Sequence, residues 1–188
     1  MNIPPVTLAL IVINVLCYFA LPPARGLFEQ LALWPIGAGF APWQLLTYGF
    51  LHGGTMHIAF NMLALYMFGS DLERVWGTER FLRFYLVCVI TAGLVQTIFS
   101  SMTGSLAPTV GASGGTFGLL LAFAMYFPQR KLMLIFPPIP MPAWLFVTLY
   151  GGIELVLGVT GTASGVAHFA HLGGMLGGYL LIRRWRTR

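Results

Sequence analysis

The sequence predicts an all-α membrane protein, a six-transmembrane-helix bundle with a long, partly membrane-embedded first outer loop. Three observations lead to this fold class. The 188 residues are 57% hydrophobic and only 8% charged, whereas soluble domains are about 25% charged. Six apolar stretches are long enough to cross, or nearly cross, a hydrocarbon core about 30 Å thick. The basic residues gather in alternate connections between these stretches.

The elements follow in order from the hydropathy of the chain. The first stretch has no basic segment before it and runs into Pro22-Pro23, so we expect a retained helix rather than a cleaved signal peptide. Prolines between 137 and 142 stiffen the entry to the fifth span, and residues 161–165 form a flexible link before the sixth. One domain is expected over residues 1–188. The spans are predicted at 6–21, 55–70, 81–101, 113–127, 142–159 and 166–182.

The Lys and Arg residues predict the orientation of the bundle. Nine of the ten lie on one side of the predicted membrane, and only Arg25 lies on the other. Because cytoplasmic loops carry an excess of Lys and Arg, we expect both termini in the cytoplasm of a multi-pass protein of the inner or plasma membrane. The net charge of +5 is therefore explained by the cytoplasmic side of the membrane and does not indicate a nucleic-acid partner. The nine are Arg74, Arg80, Arg83, Arg130, Lys131, Arg183, Arg184, Arg186 and Arg188.

The outer loop between the first two spans, residues 22–54, is long and unusually apolar. A loop of this composition would be poorly soluble if it stood free in water. We expect it to lie partly in the outer leaflet, with Trp34 and Trp43 at the level of the lipid headgroups. Its large apolar residues are Leu27, Phe28, Leu31, Leu33, Trp34, Ile36, Phe40 and Trp43.

A glycine-rich stretch, residues 110–118, places a serine at the start of the fourth span. Ser113 is expected in the first turn of that helix, where unpaired N–H groups and the positive end of the helix dipole can bind a developing negative charge. The preceding segment is broken by Gly104 and Pro108 and is not expected to be helical. Irregular backbone near membrane depth requires burial or water, so we expect a water-filled pocket with Ser113 at its floor. Taken alone, such a motif more often serves helix packing.

Histidine is the usual base for a serine nucleophile near neutral pH. His168 and His171 open the sixth span three residues apart and so share a helical face. Gly174 and Gly178 continue the face of His171, which would let the sixth span lie close against the fourth. That approach would bring an imidazole within hydrogen-bonding distance of Ser113.

Other polar residues lie near the outer ends of the spans. His57 and Asn61, four residues apart in the second span, are reasonable donors to an oxyanion. His52, in the loop before them, is interpreted as structural. Gln96 and Glu154 lie within spans, where polar groups are scarce and often functional. For Glu154, however, snorkelling or a local hydrogen bond is a sufficient explanation.

No metal site and no cofactor are predicted. Four histidines on the outer side could bind a metal, but no carboxylate or cysteine is grouped with them, and metal sites usually contain such ligands. Taken singly, each histidine is more often a structural hydrogen-bonding residue. Cys17 and Cys88 each lie in an apolar run, so we interpret both as small buried apolar residues rather than a disulfide or a ligand set.

Three motifs, in this order along the chain, resemble those of the rhomboid intramembrane serine proteases. They are His52-x4-His57-x3-Asn61, Gly111-x-Ser113-Gly114 and Ala170-His171-x2-Gly174-x3-Gly178. The resemblance covers essentially the whole chain and implies a single six-helix rhomboid-like protease domain. In that family the serine and the histidine of the sixth span form a dyad without an acid. It implies that Ser113 is the nucleophile and His171 the general base. The oxyanion hole would then consist of His57, Asn61 and the backbone N–H of Ser113.

The resemblance also assigns supporting positions. Gly111 and Gly174 belong to the motifs around the dyad, Gln96 matches a position that helps to hold water near the site, and Glu73 and Gly77 match a structural turn on the cytoplasmic side.

Two residues depart from the family pattern. Gln44 stands where an arginine is common in the first outer loop. Phe117 stands where a tyrosine often stacks on the histidine, so the ring is kept and the hydroxyl is lost. Neither change removes an atom of the dyad.

The resemblance implies an intramembrane serine endopeptidase whose partners are the lipid bilayer and transmembrane protein substrates; no oligomeric state is predicted. The substrate would enter laterally and unwind locally, because a helical peptide carbonyl is hydrogen-bonded and shielded. One alternative is a catalytically silent rhomboid-like binder of transmembrane segments, which loss of Ser113 or His171 would indicate. Another is a small-solute transporter, whose core should carry charged or broken helices near the midplane. Only Glu154, off-centre, fits that pattern.

Overall fold

Apolar runs bounded by glycine, proline or polar residues form the helices of this protein. The structure, a computed structural model, describes residues 2–21, 26–133, 138–162 and 165–187. Its helices are α1 (Pro5–Ala20), α2 (Leu27–Leu31), α3 (Gln44–Thr47), α4 (Thr55–Ala64), α5 (Ser70–Trp76), α6 (Thr78–Thr103), α7 (Ser113–Tyr126), α8 (Ala143–Thr160) and α9 (His168–Arg186). Pro22, Pro23, Arg25, Pro137, Arg188 and residues 163–164 of the predicted flexible link lie outside the described residues.

Five of the six predicted spans each fall on one helix, with ends that agree within four residues. By length and composition, two helices of the described ranges are long and apolar enough to cross a membrane, α6 and α8. Helices α1 and α7 are apolar but shorter. The mostly helical architecture agrees with the predicted all-α class, and the count of six spans stays a prediction.

The second predicted span is longer than expected. It continues from α4 through a π-helical turn, Leu65–Gly69, into α5 and ends at Trp76 instead of residue 70. Glu73, which the resemblance places in a structural turn after this span, lies in α5, where its carboxylate is buried and accepts hydrogen bonds from α1. The backbone N–H groups of Val6 and Thr7 donate to it at 3.0 and 2.7 Å. These bonds satisfy two of the unpaired donors at the start of α1.

Two short strands occur in the connection between α7 and α8, which was expected to be only a proline-stiffened loop. Strand β1 (Lys131–Met133) pairs antiparallel with β2 (Pro140–Pro142), and Lys131 lies opposite Pro142. The prolines of β2 favour extended backbone in themselves and in the residues before them. This extended backbone allows β2 to pair with β1.

Helix α6 forms the centre of the bundle. One of its faces is fully buried and carries Phe81, Phe84, Tyr85, Cys88 and Ala92. Cys88 is therefore the small buried residue predicted from the sequence. Cys17 is only partly buried, and both thiols are free.

The backbones of α7 and α9 touch beside this face of α6. A Cβ atom on Gly174 would overlap the carbonyl group of Gly114, and one on Gly118 would lie 3.0 Å from the carbonyl oxygen of Gly174. The close approach predicted from the glycine stripe is therefore confirmed at Gly174. At Gly178 the prediction is wrong, because a Cβ atom there would contact Phe84 and Cys88 of α6 instead of α7.

The first outer loop is held together by the side chain of Gln44. Its Oε1 atom accepts hydrogen bonds from the backbone N–H groups of Trp34 and Ala41, both at 3.1 Å. Its Nε2 atom donates to the carbonyl groups of Gln30 and Gly39, both at 3.2 Å. Gln44 stands where an arginine is common in the rhomboid family. It is buried and anchors the loop from inside.

The same loop has an apolar outer surface and an attachment to the bundle. Trp43 and Ile36 are 58% and 64% exposed, whereas Leu33 is buried. Leu33 also pairs with Thr109 through two backbone hydrogen bonds. This bridge ties the loop to the irregular segment that precedes α7.

A methyl group on Gly174 should destabilise the fold, because it would force the backbones of α7 and α9 apart. Overpacking of this kind costs about 1–3 kcal/mol. We therefore expect Gly174→Ala to lower the thermal unfolding midpoint of the detergent-purified protein. The matched control is Gly152→Ala on exposed helix α8, where a Cβ atom meets nothing within 4 Å. Equal midpoints for the two variants would contradict the close contact of α7 and α9.

Candidate active site

Ser113 is the first residue of α7, and the segment before it has the irregular backbone expected from the sequence. Gly111 has a φ of 132°, which favours glycine. A Cβ atom at Gly111 would lie 2.7 Å from Nε2 of His57. Glycine at this position therefore allows the turn that presents Ser113 and also leaves room for the His57 ring.

A cavity of about 690 Å³ lies above this turn. Ser113, His57 and His171 line it together with Gln96 and with residues 105 and 107–110 of the irregular segment. The pocket predicted from the broken backbone before α7 is thus present, and the cavity joins residues from α4, α6, α7 and α9.

His171 lies in the first turn of α9 and reaches Ser113. The distance from His171 Nε2 to Ser113 Oγ is 2.9 Å, which is a hydrogen bond. The ring of Phe117, one helical turn after Ser113, stacks on the imidazole with centroids 4.1 Å apart and an interplanar angle of 5°. The close packing of α7 and α9 and this aromatic wall together determine where the imidazole lies.

His57 and Asn61 differ in their access to the cavity. His57 lines the cavity beside Ser113. Asn61 is buried behind it, where its Nδ2 atom donates to the His57 carbonyl group at 2.9 Å and its Oδ1 atom accepts from Thr116 Oγ1 at 3.3 Å. In this state the Asn61 amide is therefore directed into the helix bundle.

Gln96 forms part of the cavity wall on α6. Its Nε2 atom donates to Ser100 Oγ at 3.1 Å. Its Oε1 atom is buried and has no hydrogen-bond partner among the described residues. An unpaired acceptor beside a cavity that serine and histidine side chains also line is a suitable partner for water. The water-holding role of Gln96 stays a prediction.

Glu154 of α8 contacts both histidines of α9, which the sequence analysis did not predict. Its Oε2 atom lies 2.9 Å from His171 Nδ1 and 2.7 Å from His168 Nδ1. The three residues are only 6 to 8% exposed. Glu154 therefore forms hydrogen bonds and does not snorkel, and the prediction that no carboxylate is grouped with the histidines is wrong. The available signal was an acidic residue inside a predicted span.

The distances in this cluster are those of hydrogen bonds. Ligands at 2.0–2.1 Å from a tetrahedral zinc ion would lie about 3.3 Å from one another. The two Nδ1 to Oε2 separations are shorter than that, at 2.7 and 2.9 Å. The carboxylate is thus bonded directly to both imidazoles in this arrangement.

His52 lies beside the site without lining the cavity. Its side chain is buried, and its ring meets the His57 ring edge-on at a centroid distance of 5.0 Å. Burial, reinforced by the neighbouring His57, lowers the pKa of His52 to about 4. His52 is therefore neutral near pH 7 and supports the position of His57.

Comparison with known proteins gives one consistent result. A family model described as "Rhomboid domain" matches residues 40–186. Curated relatives include the Rhomboid protease GluP of Bacillus subtilis, 35% identical over 73% of this chain. Rhomboid protein 1, mitochondrial, of Saccharomyces cerevisiae is 31% identical over 70% of it, and RHOMBOID-like protein 4 of Arabidopsis thaliana is 33% identical over 74%. The matches span 25, 38 and 33% of those three proteins, respectively.

The lowered pKa of His52 predicts a pH-dependent contribution to stability. An unfolded histidine protonates near pH 6.5, whereas folded His52 resists protonation down to about 4. The contribution of His52 to the free energy of unfolding is therefore complete above pH 6.5 and is lost as the pH falls toward 4. This contribution is on the order of 3 kcal/mol. Thermal melts of the wild type and His52→Phe between pH 7.5 and 4 measure this contribution. We expect the melting temperature to fall less with decreasing pH in the variant than in the wild type. Parallel falls in the two proteins would contradict the contribution of His52.

Proposed function

This chain belongs to the rhomboid family, and we propose that it is an intramembrane serine endopeptidase that hydrolyses peptide bonds in or near transmembrane segments of membrane proteins. Rhomboid proteins are integral membrane proteins, and the family includes proteases such as GluP. One observation carries the proposal. The hydroxyl of Ser113 lies 2.9 Å from Nε2 of His171, in a cavity of about 690 Å³. A silent binder of transmembrane segments would not need this contact.

The Ser113–His171 pair can carry out acyl transfer in two balanced steps. His171 Nε2 takes the hydroxyl proton while Ser113 Oγ attacks the peptide carbonyl carbon. The C–N bond then breaks, and the amine leaves with the proton from His171. In the second step a water molecule gives a proton to His171 and attacks the ester. Ser113 then recovers its proton as the new carboxyl product leaves.

The oxyanion of each tetrahedral intermediate needs donors beside Ser113. The first intrahelical bond of α7 runs from Thr116 N to Ala112 O, so the N–H of Ser113 has no partner within the helix. The His57 ring faces the same cavity. Asn61 already donates one amide hydrogen to the His57 carbonyl. In this proposal the amide turns toward the cavity and its second hydrogen joins the oxyanion hole.

The membrane arrangement that fits this chemistry is a single domain over 1–188 with six spans. Exposed apolar side chains on α1 and α8, such as Leu16, Phe19 and Val159, suit contact with lipid. The distribution of Lys and Arg favours cytoplasmic termini and a site that opens to the outer side of the inner or plasma membrane. Transmembrane protein substrates would enter from the bilayer and unwind so that a carbonyl group reaches Ser113.

Replacement of either member of the pair should abolish cleavage, because the two act as one unit. In a well-studied serine protease such changes cost on the order of 10⁶ in kcat, so Ser113→Ala and His171→Ala should give no detectable product. The assay uses purified protein and a model transmembrane substrate in liposomes. His168→Ala should retain substantial activity, because its ring bonds Glu154 rather than Ser113. Wild-type rates in Ser113→Ala would exclude the mechanism.

Loss of one hydrogen-bond donor to the oxyanion should lower the cleavage rate less than loss of Ser113 or His171. Such a loss usually costs about 10²–10³ in rate. We expect Asn61→Ala to lose at most that much, because His57 and the Ser113 N–H remain. The turnover number, measured on protein whose melting temperature has been checked, decides the question. An unchanged turnover number would remove Asn61 from the site.

A further inference from the structure

The buried contact of Glu154 with His171 has a chemical consequence beyond the pairing of serine and histidine. We infer that Glu154 is a positioning residue that holds His171 in the tautomer able to act as a base, so that the site works as a Ser113–His171–Glu154 triad. The inference rests on the proposed function and adds an acid to a dyad that was expected to have none.

The hydrogen-bond pattern at one carboxylate oxygen supports this tautomer. Glu154 Oε2 contacts Nδ1 of both His168 and His171. An ionised carboxylate only accepts hydrogen bonds, so each Nδ1 atom must carry a hydrogen. A protonated carboxyl group could donate to only one of them. Neutral His171 then keeps its lone pair on Nε2, which faces the hydroxyl of Ser113 at 2.9 Å.

His168 also contacts the Glu154 carboxylate. Its Nε2 atom is buried and has no hydrogen-bond partner among the described residues. Its Nδ1 atom lies 2.7 Å from Glu154 Oε2, so the carboxylate is held between the imidazole rings of His168 and His171.

The location of that charge suits the reaction. When His171 accepts the Ser113 proton it becomes an imidazolium, and the only carboxylate in contact with it among the described residues is that of Glu154. The pair is buried from water, where an opposite charge stabilises an ion more strongly than at the surface. Phe117 covers the face of the imidazole and limits its rotation. The ring is thereby held by Glu154 at Nδ1 and by Ser113 at Nε2.

The kinetic test is Glu154→Gln in the full chain, assayed with the model transmembrane substrate in liposomes. The amide has the shape of the carboxylate, but its NH₂ group can donate to Nδ1 and favour the wrong tautomer. In a serine protease the equivalent loss lowers kcat about 10⁴-fold. We expect a loss of about 10²-fold or more in kcat with KM nearly unchanged. Thr148→Val, on the exposed side of α8, is the control and should match the wild type.

A spectroscopic test on the wild type needs no variant that could misfold. In ¹⁵N NMR of histidine-labelled protein in detergent micelles, His171 should show a protonated Nδ1 and an unprotonated Nε2. The opposite tautomer in the wild type would overturn the inference. So would Glu154→Gln with wild-type kcat, while the proposed function would stand.

Different results would overturn the proposed function and the role of Glu154. A wild type that cleaves nothing would overturn the proposed function. If its His171 still carried the Nδ1 hydrogen and lost this preference in Glu154→Gln, the control of the tautomer by Glu154 would be supported independently.

Discussion

The backbone contact between α7 and α9 at Gly114 and Gly174 is the constraint on which the candidate site depends. Small residues let two helix backbones approach closely, and here the short side chain of Ser113 reaches an imidazole on the neighbouring helix. The contact brings Ser113 and His171 to 2.9 Å. A misplacement of about 1 Å can cost on the order of 10² in rate, so the proposed chemistry depends on this packing.

Polar groups inside an apolar bundle must find partners within the protein, and this requirement shapes the rest of the structure. Glu73 accepts hydrogen bonds from the unpaired start of α1. Gln44 binds four backbone groups of the outer loop. Glu154 joins two histidines. These three buried side chains connect segments that are distant along the chain. Leaving such a polar group unpaired would cost about 1–3 kcal/mol.

The irregular segment before α7 has the opposite role, since it leaves space open. Its backbone is bonded to the outer loop through Leu33 and Thr109, and Gly111 turns the chain so that Ser113 faces the cavity. A continuous helix would have filled this volume. The outer loop is therefore attached to the segment that lines the cavity in front of Ser113.

The sequence by itself determined the helical class, the extent of most helices, the motif residues and the close approach at Gly174, because hydropathy and glycine spacing are local patterns. It also directed attention to Ser113, His171 and His57, whose roles stay predictions. Only the tertiary structure decided the contacts of Glu154, the inward direction of the Asn61 amide and the anchoring by Gln44. Each of these depends on which distant groups a buried polar atom meets, and the order of residues along the chain does not encode that meeting locally.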